Sequence, residues 1–443
     1  MIDAEKCATG SDKQALILKT VLERVTRLHP REIDLSLKRI ERLMGELGNP
    51  ENKLPPVIHV AGTNGKGSTI AFMRSIFEAC SYKVHVYTSP HLVEFVERIR
   101  IAGDLPDEAA LARLMEDIEE INGDKPITYF EFVTATAILA MSRVPADITL
   151  LETGLGGRLD ATNIVRSPLI TVLTPISIDH TKFLGNSLVE IAAEKAAIMK
   201  NGRPCVSAIQ EPCVERVIHE CARDHHVDIY LENRDWAVSS DDLGRLKFES
   251  ERVQWTMPCP ALPGEHQLQN AGLALAAIEL SGLTIPSPAL SHGMRSVEWP
   301  ARGQLLKYGP LVDQLPHGWE LWLDGAHNDA AAAVLASMIE KWQDTPVYVI
   351  AGMMNKRPAR SFFRSIVAVA DGVVTVSIPN HENSYSAEEL ATEIKTLGCS
   401  NVDFSSTIND ALKVVTEICS NPRARIMITG SLYLAGEVLK QNG

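Results

Sequence analysis

Short apolar runs alternate with helix-like segments along the first half of the chain. Five runs have the length of buried strands: 57–61, 83–87, 148–151, 169–174 and 205–208. Apolar residues spaced three and four apart predict helices between these runs, over 107–121, 130–142, 188–199 and 211–225. Because strand–helix–strand succession is typical of βαβ units, the pattern predicts an α/β fold with a mostly parallel sheet covered on both faces.

A second, smaller alternation occupies the C-terminal third of the chain. Its predicted strands are 321–323, 347–351, 372–377 and 425–429. Before it, a Pro-containing segment at 283–288 and the Trp299-Pro300 turn indicate a boundary. We therefore predict two domains, 1–296 and 297–443. Within the first, acidic turns and polar–apolar alternation over 226–262 predict a β-hairpin.

The turn after the first predicted strand has the composition of a phosphate-binding loop. It comprises Gly62, Thr63, Asn64, Gly65, Lys66, Gly67 and Ser68. Glycines let backbone N–H groups approach an anion, and the helix that follows adds the partial positive charge of its N-terminus. Lys66 supplies a full charge, and Ser68 or Thr69 a hydroxyl for Mg²⁺. Val60 and Gly67 depart from the strict P-loop spacing, but the combination predicts binding of nucleotide phosphates.

Composition limits the classes of partner. With 443 residues, 45% of them hydrophobic and 22% charged, the chain is typical of a globular protein with more than one domain. A net charge of −13 argues against nucleic acid or an anionic membrane surface as a partner. The eight cysteines form no CxxC pair, and no segment has the length of a membrane span. We expect reduced thiols and a cytoplasmic protein.

Polar residues also follow three other predicted strands, where ligands collect in parallel sheets. Ser89 and Glu152 offer oxygen ligands to Mg²⁺. Arg158 and Asp160, behind a glycine-rich turn, are candidates for binding a carboxylate and a polar ring. His180, oriented by Asp179, is a candidate ligand for a second divalent ion, although an isolated histidine here is also typical of a capped turn. The charged run 97–100 is typical of a solvated face.

Further candidates lie on a small-residue helix and in the second domain. Lys195 is costly to bury as an unpaired charge, whereas a lysine carbamylated by CO₂ is an anionic metal ligand. The alternative, a surface lysine on an amphipathic helix, stays open. In the second domain, Asp324 and His327 follow a predicted strand and are expected to face the interdomain cleft. Arg302, just past the boundary, is expected to reach nucleotide phosphates when the domains close.

These motifs occur in order over nearly the whole chain, and together they resemble the folylpolyglutamate synthase/dihydrofolate synthase family of the Mur ligase superfamily. The run Gly-Gly-Arg-Leu-Asp-Ala-Thr-Asn favours this folate branch over the peptidoglycan ligases. The motifs are Gly62–Ser68, Ser89-Pro-His-Leu, Glu152 with 154–163, Asp179-His-Thr, Glu194-Lys195, Asp324-Gly-Ala-His-Asn and 430–437. The resemblance implies a large P-loop-type ATPase domain, a smaller Rossmann-like domain, and an ATP- and Mg²⁺-dependent amide ligase.

The resemblance also assigns roles to individual residues. The loop Gly62–Ser68, with Asn270, Arg302, Asp324 and His327, is implied to bind ATP. Ser68, Ser89, Glu152, His180 and a carbamylated Lys195 are implied to bind two Mg²⁺ ions. The pterin pocket is implied to be lined by Thr128, Tyr129, Phe130, Glu131, Arg158, Leu159, Asp160 and Ala161. Two departures from the family pattern are Ala197 in place of glycine and Arg357 in place of an acidic residue, which leaves the role of Lys356 open.

The motifs lead to one main hypothesis, in which the enzyme joins L-glutamate to dihydropteroate and extends the glutamate tail of tetrahydrofolate. The reaction proceeds through an acyl phosphate, with Lys66, Lys195, His180 and Glu152 as the catalytic set. No Ser/His/Asp or Cys/His set suggests a protein nucleophile. Two alternatives stay open: another Mur-type amino acid ligase, and a non-catalytic nucleotide switch. We expect small-molecule substrates and a monomer.

Overall fold

The computed structural model describes residues 10–29, 33–342, 344–355 and 358–443. The chain forms two compact units. Unit 1 contains the residues up to Pro90, Val96–Pro260 and Leu268–Val297, and unit 2 contains His91–Phe95, Ala261–Gln267 and Glu298–Gly443. The long C-terminal run of unit 2 thus starts one residue after the predicted start of the second domain at 297. The two short segments of unit 2 lie in what the sequence analysis treated as the first domain.

Unit 1 is built on a seven-stranded sheet in the order β3-β2-β4-β1-β5-β6-β7. Its strands are β1 Val57–Ala61, β2 Val84–Tyr87, β3 Ile99–Arg100, β4 Ile148–Glu152, β5 Ile170–Leu173, β6 Cys205–Ser207 and β7 Ile229–Leu231. All pairs are parallel except β2 with β3. Strands β1, β2, β4, β5 and β6 are buried along their whole length, as the continuous apolar runs predict.

Helices surround this sheet. They are α1 Gly10–Thr26, α2 Lys38–Glu46, α3 Lys66–Ala79, α4 Glu108–Asn122, α5 Tyr129–Ser142, α6 Thr181–Leu184, α7 Leu188–Ala196, α8 Pro212–Asp224, α9 Glu265–Leu280 and α10 Ser287–Ser296. Helix α10, which the sequence did not predict, begins inside the Pro-containing segment 283–288 and ends one residue before Val297, the last residue of unit 1. Gly293 of α10 lies so close to α3 that a Cβ there would be 2.7 Å from Ile76 Cα, and the Ser75 hydroxyl donates to the Gly293 carbonyl at 2.9 Å. Helix α3, which carries the phosphate loop, is therefore packed on several sides.

The predicted β-hairpin over 226–262 is a three-stranded antiparallel sheet. Its strands are β8 Trp236–Ser240, β9 Leu246–Ser250 and β10 Gln254–Met257, with β9 in the centre. Strand β7, from the start of the same segment, belongs to the main sheet instead. Trp236, Phe248 and Trp255 stack across the three strands with centroid separations of 6.1 and 5.4 Å, which gives the small sheet its own apolar face.

Unit 2 contains a six-stranded sheet in the order β11-β12-β16-β13-β14-β15, parallel except for β11. Its strands are β11 Gln304–Leu306, β12 Glu320–Leu323, β13 Val347–Ala351, β14 Gly372–Val376, β15 Val402–Ser405 and β16 Arg425–Thr429. Its helices are α11 Asp329–Glu340, α12 Ala359–Ile366, α13 Ala387–Lys395, α14 Ile408–Ile418 and α15 Leu432–Asn442.

Each face of this second sheet has its own core. Val347, Val349 and Ala351 pack in the cluster that contains residues of α11, α12 and α13. Tyr348 and Ile350, which alternate with them along β13, pack in the cluster that contains residues of α14 and α15. Helices on both faces of a parallel sheet are the predicted α/β arrangement. Among the described residues, no helix is long and apolar enough to cross a membrane.

Candidate active site

The phosphate loop runs from the end of β1 to the start of α3. Gly65 is the residue before the helix and has a φ of 89°, and the helix begins at Lys66. The amide groups of the first helical turn have no acceptor within the helix, so this end is suited to an anion. Not every loop amide is available, because those of Thr63 and Asn64 both donate to the Pro175 carbonyl, at 3.0 and 3.3 Å. The backbone N–H groups of Thr63 and Asn64 are therefore occupied within the protein, and the predicted contact of these two residues with a nucleotide stays a prediction.

Two loop glycines are required by their surroundings. At Gly62 (φ 150°) a Cβ would overlap the Thr174 side chain, and at Gly65 it would overlap the Asn270 amide oxygen. Thr174 is placed there because its N–H donates to the Ala61 carbonyl at 2.9 Å, which continues the β1–β5 pairing. Asn270, a predicted nucleotide contact, is buried directly against the loop. Backbone that approaches neighbours this closely fits a site for nucleotide phosphates.

Lys66 and Glu152 lie together beside the loop, as the sequence predicts. Strand pairing puts Glu152, the last residue of β4, opposite Val60 of β1. The Lys66 ammonium is 3.9 Å from a Glu152 carboxylate oxygen and donates to the Thr63 carbonyl at 3.3 Å. The other Glu152 oxygen accepts from the Ser89 backbone N–H at 3.2 Å. Three separate segments therefore place a lysine, a buried carboxylate and Ser89 in one location.

Lys195 is buried, so the interpretation as a surface lysine is wrong. Its side chain is 4% exposed on α7, and its ammonium donates to the Gly62 carbonyl at 2.9 Å. Burial, together with the nearby Lys66 charge, lowers the pKa of Lys195 to about 7, and Asp179 and Asp160 act in the opposite direction. The amine thus contacts the phosphate loop directly and has a substantial neutral fraction near neutral pH.

His180 lies farther from β5 than the sequence analysis assumed, because β5 ends at Leu173. The residue precedes the short helix α6 with a φ of 50°, and its side chain is 40% exposed. Its Nε2 is 3.9 Å from an Asp179 carboxylate oxygen, too long for the orienting hydrogen bond that was predicted. The other Asp179 oxygen accepts from the His180 backbone N–H at 2.7 Å. Asp179 also acts on the Lys195 charge, which places this segment close to the loop.

The side chains predicted to bind Mg²⁺ offer several kinds of ligand atom. Within the described ranges, no group of three or more His, Cys, Asp and Glu side chains is arranged to bind a metal. Glu152 is a buried carboxylate, Ser68 and Ser89 add hydroxyls, and His180 adds an imidazole. Divalent magnesium favours anionic oxygen ligands. This donor set fits Mg²⁺ together with the phosphates of a nucleotide, and a carbamate on Lys195 would add a second anionic ligand.

The glycine-rich turn after β4 is held against α7. The Arg158 guanidinium forms an ion pair with Glu194 at 2.7 Å, and its backbone N–H donates to the Glu194 carbonyl at 2.8 Å. A Cβ at Gly157 would be 2.7 Å from that carbonyl oxygen. Arg158 is exposed, Leu159 half-buried and Ala161 buried. The turn that carries four predicted substrate residues therefore packs beside the helix that carries Lys195.

Asp160 is buried and organises this turn. One carboxylate oxygen accepts from the Leu155 N–H at 2.8 Å, and the other accepts from the Thr162 N–H at 3.0 Å and the Thr162 hydroxyl at 2.5 Å. Burial raises the pKa of Asp160, and these hydrogen bonds act against that rise. The observed contacts of Asp160 are thus with its own turn, and its predicted contact with a pterin ring stays a prediction.

Thr128 and Glu131 form a capping box at the start of α5. The Thr128 hydroxyl accepts from the Glu131 N–H, and the Glu131 carboxylate accepts from the Thr128 N–H at 2.8 Å. Arg39 of α2 donates to both oxygens of the same buried carboxylate, at 3.1 and 2.9 Å. These contacts give Glu131 a role in fixing the helix end. Tyr129 and Phe130, next to the cap, are half-buried and remain the better candidates to contact a substrate.

Arg98 was missed by the sequence analysis, which interpreted its charged run as a solvated face. The side chain is buried, and its guanidinium carbon is 5.9 Å from the centroid of the Tyr129 ring. Its backbone carbonyl accepts from the Thr88 N–H at 3.0 Å, one residue before Ser89. The signal available in the sequence was the neighbouring apolar positions Phe95, Val96 and Ile99, all of which are buried.

Unit 2 contains the remaining predicted residues. The Asp324 carboxylate accepts from the Gly303 and Ala326 N–H groups, both at 2.7 Å. Arg302 donates to the Ala301 carbonyl at 2.8 Å, and a ring nitrogen of His327 is 2.8 Å from the Gly325 carbonyl. These residues follow β12 and precede β11, which are neighbours in the sheet.

His266, which the sequence analysis did not single out, belongs to the same group in unit 2. Burial lowers its pKa, Asp324 raises it and Arg302 lowers it, so both predicted side chains act on this ring. The only signal in the sequence was its place just before a helix-like segment. Lys356, whose role was left open, lies outside the described residues.

His59 is a third residue that the sequence did not reveal. It lies in the middle of β1, fully buried, and its Nε2 is 2.8 Å from the Thr162 hydroxyl. Burial lowers the pKa of His59 to about 3, and the Lys200 charge acts in the same direction. An apolar strand pattern gives no indication that one of its members is a neutral imidazole with a specific partner.

The buried imidazole predicts a pH dependence of stability. His59 stays neutral in the folded state down to about pH 3, whereas the unfolded chain protonates it near 6.5. Below 6.5 the unfolded state binds the additional proton, so stability present above that pH is lost as pH falls. By pH ~4.5 the loss from this residue is roughly 3 kcal/mol. We expect the urea midpoint of His59→Gln to fall less steeply between pH 7 and ~4.5 than that of the wild type; parallel curves would contradict the assignment.

Comparisons with known proteins agree with this architecture. The Mur ligase middle domain model matches residues 60–278, and the model of the dihydrofolate synthetase C-terminal domain matches 307–441. The chain is 34% identical to the dihydrofolate synthase/folylpolyglutamate synthase of Bacillus subtilis over 426 residues, which cover 91% of this chain and 94% of that protein. It is also 34% identical to the Escherichia coli protein of the same name, over 80% of each chain.

Solved structures give the same result. Escherichia coli FolC in complex with DHPP and ADP has a TM-score of 0.85 and 30% identity, and the match covers 96% of this chain and 97% of that one. The bifunctional folylpolyglutamate synthase/dihydrofolate synthase of Yersinia pestis, complexed with AMPPNP and a Mn ion, has a TM-score of 0.84 and 29% identity, with the same coverage.

Two α/β units, the first with Lys66 and Glu152 beside a glycine-rich loop, define an ATP-dependent ligase of the Mur type. The matches over nearly the full chain are more specific than that class. The chain belongs to the dihydrofolate synthase/folylpolyglutamate synthase family. The family, the α/β fold class and the class of enzyme predicted from the sequence are confirmed.

Proposed function

We propose that this chain joins L-glutamate to dihydropteroate and to the γ-carboxylate of tetrahydrofolate, with ATP as the source of energy. The relatives from Bacillus subtilis and Escherichia coli carry both activities in their names. One similar structure holds DHPP and ADP, and another holds Mn, AMPPNP and L-glutamate. The observation that carries the proposal is the meeting of Lys66, Glu152 and the Gly62–Lys195 hydrogen bond at one loop.

The reaction has two steps that balance. An oxygen of the substrate carboxylate attacks the γ-phosphorus of ATP, the bond from phosphorus to the ADP oxygen breaks, and an acyl phosphate forms. The neutral amine of glutamate then attacks the acyl carbon, phosphate leaves with the carboxylate oxygen, and the nitrogen loses a proton to phosphate or solvent. The substrate itself carries the activated acyl group, so no protein nucleophile is required.

The chain's own residues supply charge and position. The Lys66 ammonium neutralises phosphate charge next to the first turn of α3, where helix amides point at the same anion. Glu152 keeps Lys66 in place, and Thr63 accepts a hydrogen bond from it. In unit 2, Arg302, Asp324 and His327 are proposed to bind the nucleotide. Both negatively charged substrates then meet a local cation in a protein of net charge −13.

Mg²⁺ is proposed to bind at Ser68, Ser89, Glu152, His180 and a carbamylated Lys195, as two ions. Bound magnesium would stabilise the charge that develops on the transferred phosphoryl group. The carbamate forms when the neutral Lys195 amine attacks the carbon of CO₂ and releases a proton. Its geometric support is the buried amine next to Gly62, a position where an anionic ligand balances the Lys66 charge.

The test is an assay with both acids. Purified protein, ATP, Mg²⁺ and L-glutamate are incubated with dihydropteroate or with tetrahydrofolate, and ADP and the glutamylated product are quantified. We expect equal amounts of ADP and product with each acid. Product from one acid alone would restrict the chain to one activity, and the same assay with muropeptide acids tests another Mur-type ligase.

ADP release without product, or tight nucleotide binding without turnover, would contradict the ligase and favour the nucleotide switch. An inactive Lys66→Met variant is the control for contaminating ATPase. That the enzyme acts as a monomer and in the cytoplasm stays a prediction, which gel filtration and localisation of the tagged protein would test.

A further inference from the structure

A chain of buried hydrogen bonds joins β1 to the turn that follows β4. It runs from the His59 ring through the Thr162 hydroxyl (2.8 Å) to the Asp160 carboxylate (2.5 Å). His59 and Thr162 are fully buried, and Asp160 is nearly so. This network is buried, and a buried polar group that loses its partner is costly. Each member is therefore constrained by the others.

The bonding pattern determines the tautomer of the imidazole. The Thr162 hydroxyl has one proton, and the Asp160 oxygen 2.5 Å away can only accept. Thr162 must then accept from His59, so the proton of the neutral ring is on Nε2. His59 Nδ1 is buried and has no hydrogen-bond partner in the described structure, which is consistent with a lone pair there.

Asp160, at the far end of this series of hydrogen bonds, holds the turn on the proposed substrate side. Asp160 accepts from the Leu155 N–H at 2.8 Å and also bonds the Gly154 N–H. Gly154 in turn lies against Phe130, because a Cβ at Gly154 would overlap that ring. Glu152, by contrast, has separate contacts with Lys66 and with the Ser89 N–H. Loss of one of these hydrogen bonds is therefore expected to displace the Gly154–Phe130 contact more than the phosphate loop.

We propose that His59 and Thr162 are positioning residues that set the Gly154–Leu155 turn, and with it Phe130, for the acid substrate. This inference rests on the proposed function, because it names the pterin side of that site. Neither residue needs to touch a substrate, since both act through Asp160. The nucleotide side has its own hydrogen bonds, in which Thr63 and Ser177 exchange two bonds of 3.0 Å.

The test compares Thr162→Val with Thr162→Ser. Valine keeps the shape but removes the hydroxyl, so the His59 N–H loses its acceptor and Asp160 loses a donor; serine keeps both bonds. We expect Thr162→Val to raise the KM for dihydropteroate about tenfold, with the KM for ATP unchanged, and Thr162→Ser to stay within about twofold of the wild type. Thermal unfolding of each variant reports whether it is folded.

Several results would overturn the inference. A Thr162→Val enzyme with wild-type KM values, equal losses in Val and Ser, or a parallel rise in the KM for ATP would each assign Thr162 to packing alone. If Thr162→Val does not fold, nitrogen NMR of the labelled wild-type histidines decides, because a proton on Nδ1 of His59 excludes the chain of bonds and one on Nε2 supports it. If the wild-type protein makes no glutamylated product, the proposed function fails. The NMR measurement still tests the hydrogen bonds from His59 through Thr162 to Asp160.

Discussion

Replacing Lys195 with alanine is expected to abolish ligation while ATP binding survives. The variant removes the buried amine next to Gly62 and, with it, the group that a carbamate requires. If Lys195 carries the proposed carbamate, the variant loses an anionic metal ligand at the transferred phosphoryl group, and kcat should fall on the order of 10³-fold. The loop and α3 are proposed to make most of the phosphate contacts, so nucleotide affinity should stay close to that of the wild type. Coupled ADP release measures the first quantity, and titration calorimetry the second.

Two further experiments distinguish a carbamylated Lys195 from an unmodified lysine with a structural role. Wild-type enzyme prepared without CO₂ should regain activity when bicarbonate is added, and carbon-13 NMR with labelled bicarbonate should show a carbamate signal that Lys195→Ala lacks. Lys413→Ala, a change at an exposed lysine of α14, is the matched control and should behave as the wild type in every assay. Unchanged turnover in Lys195→Ala would remove this residue from the site. Bicarbonate-independent activity would leave it as a neutral hydrogen-bond donor.

The features that the sequence predicted well are those with local causes. Continuous apolar runs identified the buried strands of both sheets because such runs have few other uses in a chain of this composition. Lys66 and Glu152 were predicted to contribute to one site because Lys66 lies in the loop after one predicted strand and Glu152 ends another. The structure shows that these two strands, β1 and β4, are neighbours in the sheet. Their 3.9 Å separation agrees with that inference. Parallel strands bring their carboxyl ends to one edge, so sequence position translated into position in space.

The features that were missed depend on contacts distant in sequence. Arg98 is in a charged run, yet its guanidinium lies over Tyr129, and no local pattern reports that contact. His59 is one residue in an apolar strand, and its partner Thr162 is 103 positions away. Asp160 and Glu131 were interpreted as substrate contacts, whereas the structure shows both carboxylates occupied by backbone N–H groups and side chains. Residue type indicates that a carboxylate is important, and only tertiary contacts distinguish a ligand from a support.

Adding one methyl group at Gly62 is expected to destroy nucleotide binding. The alanine Cβ would occupy the position of the Thr174 side chain, and the backbone φ of 150° there is one that L-residues rarely adopt. Thr174 is fixed by its hydrogen bond to Ala61, so the loop must move. Because the Gly62 carbonyl also accepts from Lys195, the same displacement breaks that contact. We expect ATP affinity to fall by at least about a hundredfold, measured by titration calorimetry.

One further glycine serves as a control for Gly62→Ala, and a second substitution at Thr174 is expected to restore part of the lost affinity. Gly45, inside α2, has open space around its Cβ position, so Gly45→Ala should leave activity unchanged and stability equal or higher.

The Thr174 hydroxyl has no hydrogen-bond partner in the described structure, so Thr174→Ala alone should have only a small effect on ATP affinity. Combined with Gly62→Ala, it removes the atom that the new methyl group would overlap, while the threonine Cβ position and carbonyl remain near 2.9 and 3.0 Å. Partial recovery of ATP affinity in the double variant is therefore the expected result. If the double variant binds ATP no more tightly than Gly62→Ala, the loss of affinity is assigned to backbone strain. If Gly62→Ala binds ATP normally, the loop tolerates displacement, and its close packing does not determine affinity.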